Sequence, residues 1–392
     1  MDWKIVRLGD YISIKSGLVY KGSKIGKGSS ILLGMGCVSF KDKFVYSGAR
    51  PYDGDDCDKR FLVNSGDIVL ATRQQSNNMP ILAMPAIIPD SFKDKRVIFG
   101  TNLYKVENRS EISNNFLFLL MKHQHYVNYI AGVKSGTAVQ MVTKKNVEDY
   151  KFLCPPLKTR NRIEDILWSY DTLIENNMKR IRLLEKMAEN LYKEWFVRFR
   201  FPGHENVEMV DGLPKGWKIE RYGNIAEIIA GGDCPSNCTN IPTKDNTIPI
   251  YSNAISNEGL YGYTDKAKIS SKCITVSARG TVGFVALRTT PFVPIVRLLA
   301  VIPHKKNIYY LYHNSRHNNL EGNGTSQQQL TKPMLCKRKI LMPTPNVLNS
   351  FELIVDAMYK QIQNLQHQNT LLTRQRDLLL PRLMSGRLEV KC

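Results

Sequence analysis

This chain repeats itself, and the repeat limits its fold more than any single motif does. The opening Trp3-Lys4-Ile5-Val6-Arg7-Leu8-Gly9 returns 214 residues later as Trp217-Lys218-Ile219-Glu220-Arg221-Tyr222-Gly223. A second pair lies 188 residues apart, where Gly136, Thr137, Gln140, Thr143 and Lys144 match Gly324, Thr325, Gln328, Thr331 and Lys332. Held without a gap, that offset also pairs Lys151 with Lys339, Leu153 with Leu341, Pro155 with Pro343, Glu164 with Glu352 and Leu184 with Leu372. The chain is two copies of one plan, a mixed globular unit followed by a helix, and such self-similarity is the first thing a fold must accommodate. The second globular unit is shorter by the difference of the offsets, 214 less 188, or 26 residues. Two like units tend to take up a pseudo-two-fold arrangement, by the logic that makes closed dimers common. Their sequences diverge most in the middles, which predicts one frame carrying two different readout surfaces.

After Pro155-Pro156 the texture changes. Apolar residues recur at alternating steps of four and three, at Ile163, Leu167, Tyr170, Ile174, Ile181, Leu184, Ala188, Leu191 and Trp195, with Asn177 the polar member. The same positions plus 188 give Phe351, Val355, Met358, Ile362, Leu365, Leu372, Leu379 and Leu383, interrupted by Asn369 and Arg376. This is a heptad seam with register-setting polar residues. No Gly or Pro lies between Leu157 and Phe201, so a helix of roughly 40 residues, about 60 Å long, is expected. Pro381 and Gly386 are read as the end of the second helix. Neither stripe tolerates water, and the economical solution is that they pack on each other, antiparallel; two separate homodimeric coiled coils are the alternative. The expected class is α+β, two pseudo-two-fold-related mixed α/β domains separated by two long helices forming an antiparallel coiled coil. The expected boundaries are 1–155, 156–201, 202–345 and 346–392. Aromatic and aliphatic residues near the helix ends, Tyr192, Trp195, Phe196, Phe199 and Phe201 in one and Leu378, Leu379, Leu380 and Leu383 in the other, are read as docking surfaces for a partner's helices.

The 392 residues carry 55 Lys and Arg against 35 Asp and Glu, a net charge of +20, which favours a polyanionic partner. The excess sits on the globular units. Residues 1–155 hold 22 basic and 14 acidic groups, net +8, and residues 201–345 hold 17 and 10, net +7, whereas the helical tails are only +3 and +2. Eight cysteines in so long a chain are no disulfide scaffold. The N-terminus lacks a basic stretch followed by an apolar core, and no run of 18 apolar residues exists, so a cytoplasmic protein without a membrane partner is expected. Cys234 and Cys238 have no second pair at zinc spacing. His313 and His317 share a helical face that reads as a polar surface.

Within each unit, short β-like runs at residues 31–36, 67–72 and 274–280 alternate with turns, and helices are expected at 111–129 and 308–319. Polar residues gather where strands end. In the first unit these are Lys24 and Lys27 in a Gly/Ser loop, Arg73, Gln74 and Gln75 after a strand, and Lys134 and Thr137 in the repeated loop. In the second they are Asn253, Asn257, Tyr261, Lys266, Arg279, Thr281, Thr325 and Gln327. Arg, Asn and Gln read guanine and adenine edges bidentately, while Lys and Thr more often hold phosphates. No phosphate-binding loop, metalloprotease, nucleophile-elbow or zinc-deaminase pattern is present, and Asp53, Asp55, Asp56 and Asp58 lack a lysine at nuclease-like spacing. No catalytic residue and no metal site is expected on this chain.

The chain resembles the specificity (S) subunits of type I restriction–modification systems. The stretches that carry the likeness are GWKIERYGNIAEI from Gly216, LYKEWFVRFRFPGHE from Leu191, IPIYSNAISNEGLYGYTD from Ile248 and LLTRQRDLLLPRLMSGRLEV from Leu371, with the repeated SGTAVQMVTK and NGTSQQQLTK elements. The resemblance covers nearly the whole chain. It implies that each globular unit is a target recognition domain reading one half of a split, asymmetric sequence in double-stranded DNA. It further implies that the helices are a conserved spacer on which two modification subunits dock, with two restriction subunits added. S-adenosylmethionine, ATP and Mg2+ would then serve those partners, with no cofactor on this chain. Tyr251-Ser252-Asn253 stands where family members often have Tyr-Gly-Asn. A specificity chain serving a combined nuclease–methyltransferase, or an inert coiled-coil scaffold, are the competing readings.

Overall fold

The computed structural model describes residues 3–74, 81–318, 320 and 329–390. The chain forms two compact units, one of Met1–Asn176 with Gln368–Cys392 and the other of Asn177–His367.

In the first unit a four-stranded antiparallel sheet has the spatial order Ile12–Ser16, Leu103–Asn108, Ile68–Ala71, Pro85–Ile87. Ile68–Ala71 is buried along its whole length because both its faces are covered. Ile68 and Leu70 share a core with Phe116, Leu117 and Tyr126, whereas Val69 and Ala71 join a second cluster with Leu33, Val97 and Phe99. The second unit repeats the order with Ala226–Ala230, Leu298–Pro303, Cys273–Ser277 and Val285–Arg288. Each unit adds a smaller sheet built on a parallel pair. Ile25–Leu33 runs beside Val97–Phe99 in the first, and Ile248–Tyr251 beside Val293–Pro294 in the second. Each also closes its ends with a two-stranded ribbon, in which Lys4–Arg7 pairs with Lys151–Cys154 and Lys218–Arg221 pairs with Lys339–Met342. The two ribbon registers, Lys4 opposite Cys154 and Lys218 opposite Met342, differ by the 214 and 188 residues of the sequence repeat.

The helix expected over residues 111–129 is two, Asn114–Lys122 and Gln124–Val133. His123 is extended and ends one while starting the next, its Nδ1 accepting the His125 N–H at 3.3 Å. The second unit's head helix is Ile308–His317. Its His313 is buried rather than part of a polar surface: the ring lies among Tyr192, Phe351 and Tyr359, and burial holds its pKa down to about 3.

The long helices are Leu157–Tyr192, continued by a π-helical turn at Lys193–Val197, and Pro345–Met384. Pro381 does not stop the second helix. It removes one backbone N–H, but the helix runs a further turn before Gly386 turns the chain at φ +70°. Every seam position is buried or half-buried, including Ile163, Leu167, Tyr170, Ile174, Ile181, Leu184 and Leu191 on one helix and Phe351, Val355, Met358, Ile362, Leu365, Leu372 and Leu379 on the other. Pairing is antiparallel. In the first unit Ile163 and Leu167, early in one helix, share a core with Leu383 and Met384, late in the other, and Arg376 donates to Asp171 at 2.6 Å. In the second unit Ala188 and Tyr192, late in the first helix, pack with Leu348, Phe351 and Val355, early in the second.

The helix-end residues read as docking surfaces lie mostly inside. Tyr192, Trp195, Phe196 and Phe201 are buried: Trp195 meets Phe351 at a tilt, Phe196 meets Tyr310 edge-on and Phe201 stacks on Trp217, with Phe199 packed against them. They belong to the second unit's core, where large aromatic side chains contribute most of their buried surface. Leu383 is buried and Leu379 and Leu380 are half-buried in the first unit's core, leaving Leu378 exposed. Among the described residues no helix is long and apolar enough to cross a membrane.

Candidate nucleic-acid interface

In the first unit the strand end after Ile68–Ala71 meets the repeated loop. Arg73-Gln74 forms a short antiparallel ribbon with Gln140-Met141, Gln74 opposite Gln140 and Arg73 opposite Met141. Gln74 is buried and both ends of its amide are engaged: Nε2 donates to Gln140 Oε1 at 2.6 Å, and Oε1 accepts the Ile81 and Leu82 N–H groups at 3.0 and 3.1 Å. Lys134 Nζ donates to the same Gln140 oxygen at 3.0 Å. Gly136 turns the loop at φ +93°, where a Cβ would lie 2.2 Å from the Val139 carbonyl oxygen, so the site requires glycine. Arg73 on this ribbon and Thr137 in the loop are exposed, and Lys134 is half-buried. Gln74 is therefore the brace of the surface. Gln75 lies outside the described residues.

The second unit has a matching single bridge. Arg279 pairs antiparallel with Gln329, the position 188 beyond Met141. The Leu330 N–H donates to the Ala278 carbonyl at 2.9 Å, as the Val142 N–H does to Thr72 at 3.3 Å. Asn253 joins it from another loop, its Nδ2 donating to the Arg279 carbonyl at 2.7 Å, and Thr281 Oγ1 donates to the Asn253 carbonyl at 3.5 Å. Thr325 and Gln327, with Gly324, lie outside the described residues. Asn257 sits at the tip of the hairpin joining Ile248–Tyr251 to Leu260–Thr264, with φ +51°. Tyr261 and Lys266, on and just past the second strand, are exposed.

Lys24 and Lys27 occupy a different loop. Lys24 Nζ lies 3.3 Å from Asp56 and 3.9 Å from Asp53, and its hydrogen bond to Asp56 raises its pKa while lowering that of Asp56. Ser30 donates to Asp55 at 2.9 Å, and Arg96 Nε donates to the Gly54 carbonyl at 3.2 Å. The acidic run is thus a braced turn; Lys27 stays exposed.

Sequence reasoning missed the groups that aim these loops. Arg288 is buried beneath the second unit's hairpin. Its Nε donates to Thr275 Oγ1 at 3.0 Å, its Nη2 donates to the Glu258 carbonyl at 2.6 Å, and its guanidinium lies 3.6 Å from the Tyr251 ring centre. Burial lowers its pKa. In the first unit, Lys122 Nζ donates to the carbonyls of Ser39, Phe40 and Asp42 at 2.5, 2.9 and 3.1 Å, and burial brings its pKa down to about 8. Lys43 beside it meets Glu175 at 3.0 Å and lies over the Trp168 ring. Each unit also fixes its head helix to a long helix through one glutamate. Glu164 accepts from Ser113 Oγ and from Asn115 Nδ2 at 3.0 Å. Glu352 accepts the Tyr309 and Tyr310 N–H groups at 3.2 and 2.7 Å, and burial pushes its pKa up to about 7. The Glu164–Glu352 match in the 188 offset was the one sequence signal for this.

A cationic ribbon with amide and hydroxyl neighbours has the donor chemistry that phosphates and base edges accept. Among the described residues no group of three or more His, Cys, Asp or Glu side chains is placed to hold a metal ion.

Residues 1–186 and 214–372 match the family model of the type I restriction modification DNA specificity domain. The type I restriction enzyme MjaIX specificity subunit of Methanocaldococcus jannaschii is 24% identical over 365 residues, spanning 86% of this chain and 80% of that protein. The HindI specificity subunit of Haemophilus influenzae is 24% identical over 409 residues, spanning 83% and 87%. The crystal structure of a type I restriction-modification system S subunit from M. genitalium superposes with a TM-score of 0.60 at 14% identity, over 100% of this chain and 97% of that one; that likeness is one of fold.

Proposed function

This chain belongs to the type I restriction–modification DNA specificity family, and on that footing we propose that each unit reads one half of a split DNA target while the paired helices set the gap. The observation that carries the reading is the repeated pairing, Arg73 opposite Met141 and Arg279 opposite Gln329, set on the same sheet order with unlike surroundings. Arg73 and Arg279 are the side chains suited to guanine edges, with Asn257 suited to adenine; Asn253, whose Nδ2 is held by the Arg279 carbonyl, braces that pairing as Gln74 braces the ribbon of the first unit. Lys134, Thr137, Lys266 and Thr281 suit phosphates. The net charges of +8 and +7 on the two globular stretches support a phosphate-driven encounter that weakens with salt. A continuous helix of 36 residues is about 54 Å long, against a B-DNA repeat of 34–36 Å, so the pair is of a size to fix a set of unread base pairs.

The chemistry is assigned to other chains. Two modification subunits would bring S-adenosylmethionine-dependent methylation, two restriction subunits ATP and Mg2+, and this chain would supply the address. The test is a gel shift of the assembled complex at fixed salt, with its modified sequence against a scrambled duplex. Selective retention of the former is expected. Equal binding to both would leave an inert scaffold as the better reading.

A further inference from the structure

The two ribbons at the roots of the long helices carry a pattern that DNA reading does not use. Side chains alternate between the faces of a strand, and cross-strand partners share a face. On the outward face of the first ribbon Ile5 lies opposite Leu153 and Arg7 opposite Lys151. On the outward face of the second, Ile219 lies opposite Leu341 and Arg221 opposite Lys339. The four residue types are identical. The inward faces have drifted: Val6 opposite Phe152 corresponds to Glu220 opposite Ile340, and Cys154 to Met342, with only Lys4 and Lys218 alike. Packing demands alone would do the reverse, keeping the buried face and letting the exposed one vary.

The shared face is also costly to leave in water. Ile5 is 73% exposed and Ile219 59%; Leu153 is exposed, whereas Leu341 is half-buried and packs in part against the second unit's core, so Ile219 carries most of the open apolar surface there. Lys151 and Lys339 are exposed next to each apolar pair. Arg7 is taken up by Asp149 at 2.6 Å, so in the first unit Lys151 supplies the free charge. An Ile–Leu pair offers nothing to a phosphate, but it suits an apolar side chain. A lysine at its edge suits a carboxylate.

We propose that the two outward ribbon faces are equivalent docking sites for two copies of one partner protein, which sets an apolar side chain over each Ile–Leu pair and a carboxylate against the adjoining lysine. The proposal rests on the functional reading above, which supplies a partner present twice. The patch being the same in both units, while the reading loops differ, is what a partner indifferent to DNA sequence requires.

The test uses the full chain co-purified with the modification subunit of its own system, with subunit stoichiometry read by native mass spectrometry. Ile5→Asp with Leu153→Ser is made in one variant and Ile219→Asp in another. Since the aspartates replace exposed side chains, circular dichroism is expected to match the parent. Each variant is expected to hold one modification subunit where the parent holds two, with affinity at the altered ribbon at least about tenfold weaker, and the combined variant none. Lys151→Glu and Lys339→Glu weaken binding in the same way. Two subunits retained at unchanged affinity by the combined variant would overturn this proposal alone. A parent chain that recruits no modification subunit would overturn it together with the functional reading.

Discussion

Lengthening both long helices by one heptad changes the gap between half-sites and nothing else, if the helices set it. The insertions belong between Asn176 and Asn177 and between His367 and Gln368, where the two compact units meet on each helix. Seven residues at about 1.5 Å each add about 10 Å, and at 34–36 Å per ten base pairs this corresponds to about three base pairs. A heptad returns the seam to its phase within about 20°, so Ile163 and Leu167 still meet Leu383, and Ala188 still meets Phe351. A heptad in one helix alone offsets these partners, and the Asp171–Arg376 pair at 2.6 Å cannot form together with the Ala188–Phe351 packing. That variant should therefore unfold at a lower temperature. The assay is sequencing of DNA methylated by the assembled complex, followed by gel shifts on duplexes of graded gap. The paired variant should keep both half-sites and widen the gap by two to three base pairs. An unchanged gap, or a changed half-site, would refute the reasoning.

Replacing residues 10–140 with those of another family member should change one half-site and leave the other and the gap intact; sequencing of methylated sites would show whether both shift. Arg279→Ala should cost about 1–3 kcal/mol and relax one position of one half-site if the side chain meets a base, or lower the salt slope by about one unit uniformly if it meets a phosphate; titrations at several salt concentrations separate the two, and no effect in either would remove Arg279 from the interface. Glu352 and His313 predict a pH signature of opposite signs. The Glu352 pKa is raised to about 7 by burial, so the fold prefers the protonated acid and its contribution falls as pH rises from about 4.5 to 7. The His313 pKa is lowered to about 3, so its neutral ring is increasingly penalised as pH drops below about 6.5. Between pH 8 and pH 5 each is worth about 2 kcal/mol. On acidification Glu352→Gln should therefore lose about that amount relative to the parent, as denaturant titrations of both at the two pH values would show.

What the sequence made legible was whatever depends on periodicity and repetition. The 214 and 188 offsets reappear as the two ribbon registers, and the heptad positions from Ile163 to Leu383 avoid full exposure because a spacing of 3.5 residues leaves few other ways to bury them. What stayed hidden depends on tertiary pairing. Residues 114–133 are continuously helix-compatible, and only the extended backbone at His123 divides them. Tyr192, Trp195 and Phe196 present the same apolar character to a docking partner or to a core, and the core wins because Phe351 and Tyr310 are there to receive them. Gln74 reads as a base-contacting amide until its partners Gln140, Ile81 and Leu82 are seen. Arg288, one arginine among 55 basic residues, carries no local sign of its place under the hairpin.

The sequence that the assembled complex methylates tests most directly the proposal that two readers share one spacer. Two short specified blocks separated by a constant run of unspecified base pairs are expected, each block answering to one unit. A single uninterrupted block, or blocks at variable separation, would contradict it.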